Sequence, residues 1–443
     1  MSGVYATTAM PRKWAIAALL IFILAGCTSS STSTHQRKVY IGKLNGKYTI
    51  YRNDQPFLVK GAAGTDDLLK LRDAGGNTIR TWDTTHLGQL LDSAYANNIA
   101  VIAGLSIPPS IYKEFYEDTA KVAAQYNGVR DIVTRYKSHP ALLMWCLGNE
   151  VDFPYRPQYA NFYRAYNRLL KTIHEQDPDH PVTTALVNFN KRCLFNIRLK
   201  VSGLDLISMN IFGDLRNLHK NLDDFSWWWN GPFLITEWGI NGPWESEFTA
   251  WGAPIENTTT KKAAQYQELY EQHMPVNNPR FLGACIFYWG NKQEVTHTWY
   301  SLFSADGAAS ATAGVMQYLW TGNWPAHKAP ELKYMLLGGK GARDNIICLP
   351  DTLQTAEVFF QNTPDSSLRI EWELLAEDWY SKDRFVPNTA KPASFNTHFT
   401  SINGNKATFR TPSKEGPYRI FATVYNKYGQ FAATNTPFYV IGR

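Results

Sequence analysis

Cysteine is scarce in this chain of 443 residues: there are five, Cys27, Cys146, Cys193, Cys285 and Cys348, and no two have CxxC spacing. That excludes a fold stapled by disulfides and a thiolate metal or redox motif. The last four read as buried thiols, since most lie in or beside apolar runs such as Leu142-Leu143-Met144-Trp145-Cys146-Leu147, with one disulfide as the second reading. No histidine and carboxylate cluster has metal-site spacing, so neither a metal nor another cofactor is expected. An excess of one charge is also missing. The formal net charge is +6 over the whole chain, which implies no nucleic-acid partner. Internal repeats are absent, and no glycine-rich phosphate loop follows the first strand, which counts against a nucleotide-binding fold.

What is present begins with a positive pair, Arg12 and Lys13, an apolar run from Trp14 to Leu24, and Leu24-Ala25-Gly26-Cys27. The run is too short for a stable membrane span and reads as a secretory signal. The residues before Cys27 resemble a bacterial lipobox, which implies that residues 1–27 are signal and lipobox and that Cys27 is lipidated. The Ser/Thr-rich residues that follow, taken as 28–37, read as a polar tether. Cell-envelope placement follows, lipid-anchored and on the outer membrane, because Thr28 and Ser29 lack the acidic residue associated with inner-membrane retention.

Two alternating segments, Lys38–Ile41 and Tyr48–Tyr51, flank Asn45-Gly46, a hairpin signal. Apolar strands and helices then alternate. The expected strands are Phe57–Gly61, Asn77–Thr81, Ala100–Leu105, Ala141–Leu147, Pro181–Leu186, Leu204–Asn210, Pro232–Glu237 and Phe281–Trp289. Helical periodicity fills Asp66–Ala74, Leu87–Asn97, Tyr116–Ser138, Pro157–Gln176 and Lys261–His273. Eight strands alternating with helices predict a closed (β/α)₈ barrel, assigned to 38–343. Past Arg343 only alternating strands remain, among them Leu368–Glu373 and Tyr418–Tyr425, so 344–443 is expected to be an immunoglobulin-like β-sandwich.

Reactive side chains of a (β/α)₈ barrel gather at the C-terminal ends of its strands. Gly148-Asn149-Glu150 follows the fourth apolar strand, and Thr236-Glu237-Trp238-Gly239 closes the seventh. Over roughly Gln55 to Trp324 the chain resembles the catalytic barrels of glycoside hydrolase clan A. It is most similar to family 2, with an echo of the fungal β-1,3-glucanosyltransferases. The resemblance implies Glu150 as acid/base and Glu237 as nucleophile. Arg80 would pair with Glu237 and hold its pKa low, and Asn149 would hydrogen-bond the sugar 2-hydroxyl. Trp289 would floor the reacting sugar. Asn210, Trp82 and Trp238 are further candidates for substrate contact, and His86 and His297 could also meet substrate. Acetal cleavage needs one neutral and one ionised carboxyl.

One departure stands out. Related enzymes carry a tyrosine, hydrogen-bonded to the nucleophile, where this chain has Phe212, so Tyr288 or Asn210 would have to take over. The expected function is a retaining β-glycoside hydrolase acting on oligo- or polysaccharide. The alternatives are a β-glucan transglycosylase with the same two glutamates and a non-catalytic carbohydrate-binding lipoprotein of the envelope.

Overall fold

The computed structural model describes residues 37–363, 367–377 and 390–442. The proposed lipidation site Cys27 and the Ser/Thr tether through residue 36 lie outside them. Strands β1 (Val39–Leu44) and β2 (Lys47–Arg52) form the hairpin that Asn45-Gly46 signals, extended by β3 (Gln55–Phe57). Both turn residues take positive φ, 51° and 79°, as a two-residue turn matching strand twist requires.

The barrel strands follow: β4 (Val59–Ala63), β5 (Thr78–Arg80), β6 (Ala100–Leu105), β7 (Leu142–Leu147), β8 (Val182–Thr183), β9 (Ala185–Val187), β10 (Ile207–Ile211), β11 (Phe233–Trp238) and β12 (Phe281–Ile286). All pair in parallel, and β12 returns to β4. There are nine segments and eight barrel positions, because the fifth strand is broken at Thr184 into β8, which pairs β7, and β9, which pairs β10. Thr184 turns its hydroxyl to the Leu147 carbonyl (2.8 Å), which also accepts from the Tyr166 hydroxyl (3.3 Å), so the backbone group beside the break is satisfied.

Inward side chains of the strands, including Val59, Ile102, Met144, Leu234 and Leu282, fill the barrel, and Val39 and Ile50 of the hairpin pack beneath them. The hairpin is tied to that end by Val39 N–H to Asp179 O (3.0 Å) and Tyr48 N–H to Pro279 O (2.7 Å). The N-terminal end is thus plugged. Helices Leu87–Ala96, Thr119–Tyr136, Ala160–Gln176 and Thr259–Glu268 close over the outside at the places their periodicity predicts. Asp118 caps the second of these through Ala120 N–H and Lys121 N–H, and Thr258 caps the last.

Two sheets form the C-terminal layer. One orders β14 (Leu332–Leu337), β16 (Leu353–Phe360), β19 (Lys406–Arg410) and β18 (Phe399–Asn403); the other orders β13 (Ala309–Ser310), β21 (Gln430–Val440), β20 (Gly416–Tyr425) and β17 (Arg369–Ala376), with β15 (Ile347–Cys348) beside β21. The pairing is antiparallel except that β13 and β15 pair in parallel with β21. Leu332–Leu337 is thus part of the sandwich although it precedes the expected division at 343. Buried polar groups join the two layers: Arg419 donates to Pro254 O (2.7 Å) and Asn435 Oδ1 (2.7 Å), and Asn435 Nδ2 donates to Glu256 (2.7 Å). Glu256 also accepts from Thr296 (2.7 Å), Thr298 (2.8 Å) and Lys262, so the loop after β12 is held by the same cluster that docks the sandwich. Cys146, Cys193, Cys285 and Cys348 are all buried free thiols, the first of the two readings.

Candidate active site

At the open, C-terminal end of the barrel, β11 delivers Glu237, whose side chain is 6% exposed, and β5 delivers Arg80, which is 0% exposed. Arg80 Nη1 donates to Glu237 Oε1 at 2.5 Å, and Nη2 donates to Asn149 Oδ1 at 2.5 Å. One planar guanidinium therefore fixes residues at the ends of two other strands through two donors held in a rigid plane. Arg80 also lies 4.9 Å from the Trp82 ring centre.

Asn210, at the end of β10, is the hub. Its Nδ2 lies 2.9 Å from Glu237 Oε1, 3.1 Å from Glu150 Oε1 and 3.1 Å from Asn149 Oδ1. Thr236 Oγ1 donates to Asn210 Oδ1 (2.9 Å), which fixes the amide so that its nitrogen, not its oxygen, faces the acids. A nitrogen 2.9 Å from one carboxylate oxygen and 3.1 Å from the other holds them no further apart than those two legs together, 6.0 Å.

Trp82 supplies the third donor to Glu237, its Nε1 at 2.7 Å from Oε1. This answers the Phe212 departure, because the hydroxyl missing there is replaced by an indole N–H and by Asn210. Tyr288 instead stacks on Trp82, ring centres 5.9 Å apart, and Phe212 packs on Phe287 and Tyr300. Gly104 makes the Trp82 position available: a Cβ there would sit 2.4 Å from the Trp82 carbonyl carbon and 2.5 Å from Thr81 O. Three N–H groups thus converge on Oε1, and none of the described residues hydrogen-bonds Oε2.

The Gly148-Asn149-Glu150 turn leaves regular strand geometry. Gly148 takes φ +81° and Glu150 φ +54°, the latter in the left-handed region that a side chain with Cβ rarely adopts. That turn leaves Glu150 exposed at the mouth while Glu237 is enclosed. Burial pushes the Glu237 carboxyl up, Arg80 pulls it down and the Glu150 charge adds to the rise; the net direction is upward. Arg80 is paired as expected, but it offsets only part of the desolvation cost and does not bring the pKa below the ordinary value.

Two expected contacts are corrected. Trp238 is buried against Tyr266 and Tyr270 on the far side of β11, because strand side chains alternate and its neighbour Glu237 already points inward. Trp289 is also wholly enclosed, packing on Phe303 and Trp320 with its Nε1 on Asp67 O (3.3 Å), so it does not floor the sugar site. Trp82 and Tyr288 are the half-buried rings beside the acids. His86 is exposed at a helix start, and His297 faces the sandwich. Two neighbours escaped the sequence reading: Thr236, whose orienting role shows only in space, and Lys292, whose ammonium lies 4.6 Å from the Phe287 ring centre and 2.6 Å from Glu294.

Residues 89–245, which contain Asn149, Glu150, Asn210 and Glu237, match the family described as glycosyl hydrolases family 2, TIM barrel domain. Over that stretch the barrel is similar to glycoside hydrolase family 2. The β-glucuronidase of Paenibacillus borealis is 22% identical over 204 residues, 41% of this chain and 32% of that protein. The crystal structure of a Bacteroides uniformis β-glucuronidase superposes with a TM-score of 0.51 at 14% identity, over 91% of this chain and 48% of the other. A second structure, the B. uniformis β-glucuronidase 2 covalently bound to cyclophellitol-6-carboxylate aziridine, gives the same figures. These likenesses concern the fold, and this chain matches about half the length of those structures or less.

The donor set at Glu237 has a direct consequence. Trp82→Phe keeps the ring and removes the N–H, so kcat/KM on an aryl β-glycoside should fall about tenfold, the worth of one hydrogen bond to a charged group. The melting temperature should move little. Unchanged kinetics would return Trp82 to a packing role.

Proposed function

We propose that this barrel is a family 2 retaining β-glycoside hydrolase acting on oligo- or polysaccharide, with Glu237 as nucleophile and Glu150 as acid/base. The observation that carries the reading is the shared Asn210 nitrogen, which keeps facing oxygens of the two acids within 6.0 Å. That limit on one pair of oxygens supports the roughly 5–5.5 Å between carboxyls that direct attack needs more than the roughly 6.5–9.5 Å that inversion needs for an intervening water.

The roles follow from the two environments. Glu237 Oε1 is occupied by three N–H donors, which fix the carboxylate plane and leave Oε2 for the anomeric carbon. Glu150, at the open mouth, gives its proton to the departing oxygen as the C–O bond breaks and Glu237 forms the glycosyl ester. It then takes a proton from the incoming water, whose oxygen displaces Glu237. Asn149, held through Arg80, is placed to hydrogen-bond the 2-hydroxyl, a contact that strengthens toward the transition state. A sugar hydroxyl in place of water gives transglycosylation from the same ester. Retention of both acids with a full donor set favours catalysis over a binding-only barrel.

The relatives' name makes β-glucuronides one class to test, and Lys292 is a nearby cation for an acidic sugar, although Glu294 already pairs with it. A panel of aryl β-glycosides, β-glucuronide included, should yield at least one substrate. Failure of the whole panel, together with failure to cleave β-1,3-, β-1,4- and β-1,6-glucans, mannan and galactan, would favour the binding-only reading.

We place the enzyme at the cell envelope, anchored through Cys27 and facing the periplasm or the surface. Cys27→Ala should move the protein from the membrane fraction to the soluble fraction with specific activity unchanged. Persistent membrane association would contradict the anchor.

A further inference from the structure

Lys292 and Glu294 stand in the loop after β12, beside the acids. The Lys292 ammonium lies 2.6 Å from Glu294 Oε2, 4.6 Å from the Phe287 ring centre, 5.6 Å from that of Tyr288 and 5.9 Å from that of Trp82. Trp82 donates to Glu237, and the Lys292 charge itself acts on the Glu237 carboxyl. The two side chains are 31% and 28% exposed, so a ligand that reaches the half-buried rings of Trp82 and Tyr288 also meets the pair.

The loop holds this pair in place. Lys292 N–H donates to Ser301 Oγ (2.9 Å), whose hydroxyl donates to His297 O (2.8 Å). Glu294 and Thr296 exchange backbone hydrogen bonds (3.0 and 2.7 Å) around Val295, which takes φ +63°. A β-branched residue rarely adopts that left-handed conformation, and its cost persists only where the surroundings over-determine it. Here Thr296 and Thr298 both donate to buried Glu256 (2.7 and 2.8 Å), directly after the turn.

Both positive charges acting on Glu237 are therefore committed, Arg80 to Glu237 and Asn149, and Lys292 to Glu294. A sugar meets a donor beside an acceptor, not a free cation. A hydroxyl suits both, because it can donate to the carboxylate and accept from the ammonium. A uronate carboxylate only accepts, so it competes with Glu294 for one ammonium and sets two like charges side by side. Asp66 adds a further carboxylate: its Oδ2 lies 2.7 Å from where a Cβ on Gly290 would sit, and its charge acts on the Tyr288 hydroxyl. Repulsion of this kind lets a site reject a close analogue of its substrate.

We propose that the Lys292–Glu294 ion pair is a specificity element that selects uncharged β-hexosides and rejects β-hexuronides. The proposal rests on the reading of this site as a retaining β-glycosidase and names the class of sugar it takes. That class departs from the one in the name of the β-glucuronidases on which the fold superposes.

The test is kcat/KM of the full chain on the 4-nitrophenyl β-glucoside, β-galactoside, β-mannoside, β-glucuronide and β-galacturonide. The glucose and galactose pairs differ only at C6. We expect the best neutral glycoside to exceed both uronides about 100-fold or more, and Glu294→Gln, which frees the ammonium and keeps the side-chain shape, to narrow that ratio about tenfold or more. A uronide cleaved as well as the best neutral glycoside by the wild-type chain would overturn the proposal. So would a Glu294→Gln chain that slows all the substrates alike or leaves the uronides uncleaved. Should Glu294→Gln not fold, Glu294→Ser takes its place with the same outcomes. Failure of every aryl glycoside would overturn the hydrolase reading and this proposal with it, whereas a preference for a uronide overturns the proposal alone.

Discussion

Glu150→Ala should turn an activated aryl β-glycoside into a stalled glycosyl-enzyme, with an initial burst of phenol followed by a steady rate lowered about 10³-fold or more. Activated leaving groups need little protonation, so the first step survives. The second does not, because no base remains to take the proton from water. Azide needs no such base and fits where the carboxylate was, so its addition should restore turnover and give the β-glycosyl azide. Glu237→Ala should be slower still and show no burst, as no ester can form, and azide entering from that side should give the α-azide. Exchange of these two products between the variants would exchange the roles.

Arg80→Ala carries the second large effect. The structure leaves Glu237 enclosed and already raised by burial and by the Glu150 charge, with Arg80 the chief opposing charge. Removing Arg80 therefore raises the Glu237 pKa further. Since the nucleophile must be ionised, the acid limb of the kcat/KM profile should move to higher pH, and kcat should fall about 10²–10³-fold even on the plateau, because Asn149 and Glu237 lose their common tether. The stability effect has a defined sign. An acid whose folded pKa lies above its unfolded value loses stability as pH rises through the folded pKa. The deficit of Arg80→Ala in melting temperature should thus be small near pH 4 and grow toward pH 8, where keeping an unpaired buried carboxylate ionised costs about 3–5 kcal/mol. A deficit independent of pH, with an unmoved acid limb, would make Arg80 merely a strut of the barrel rim.

Much of this site was legible because strand ends are legible. Glu150, Glu237, Asn149 and Asn210 each follow a largely apolar run and Arg80 ends the short strand Thr78-Ile79-Arg80, and a closed barrel brings such ends together whatever its loops do. The hairpin was legible for an equally local reason, since Asn45-Gly46 accepts the positive φ its turn requires. Side-chain direction beyond the strand end was harder. Period-two alternation already implies that Trp238 opposes Glu237, yet an aromatic beside a catalytic acid invites assignment to substrate. Trp289 lies past the last barrel strand, where no periodicity applies. The donor role of Trp82 depends on the close crossing at Gly104, which joins residues about twenty apart. Leu332–Leu337 reads as a short apolar segment without a partner, and only pairing with Leu353–Phe360 assigns it to the sandwich. The break at Thr184 left no mark, since Val182-Thr183-Thr184 is a continuous run of strand formers.

The central claim is that two carboxylates bridged by one asparagine nitrogen act by double displacement. Its most direct test is the anomeric configuration of the first product, followed by ¹H NMR before mutarotation, using whichever aryl β-glycoside the wild-type protein cleaves fastest. Double displacement releases the β-anomer first, with the α-anomer growing in only at the rate of spontaneous mutarotation; an α-anomer formed first would require a water between the acids and would rule double displacement out.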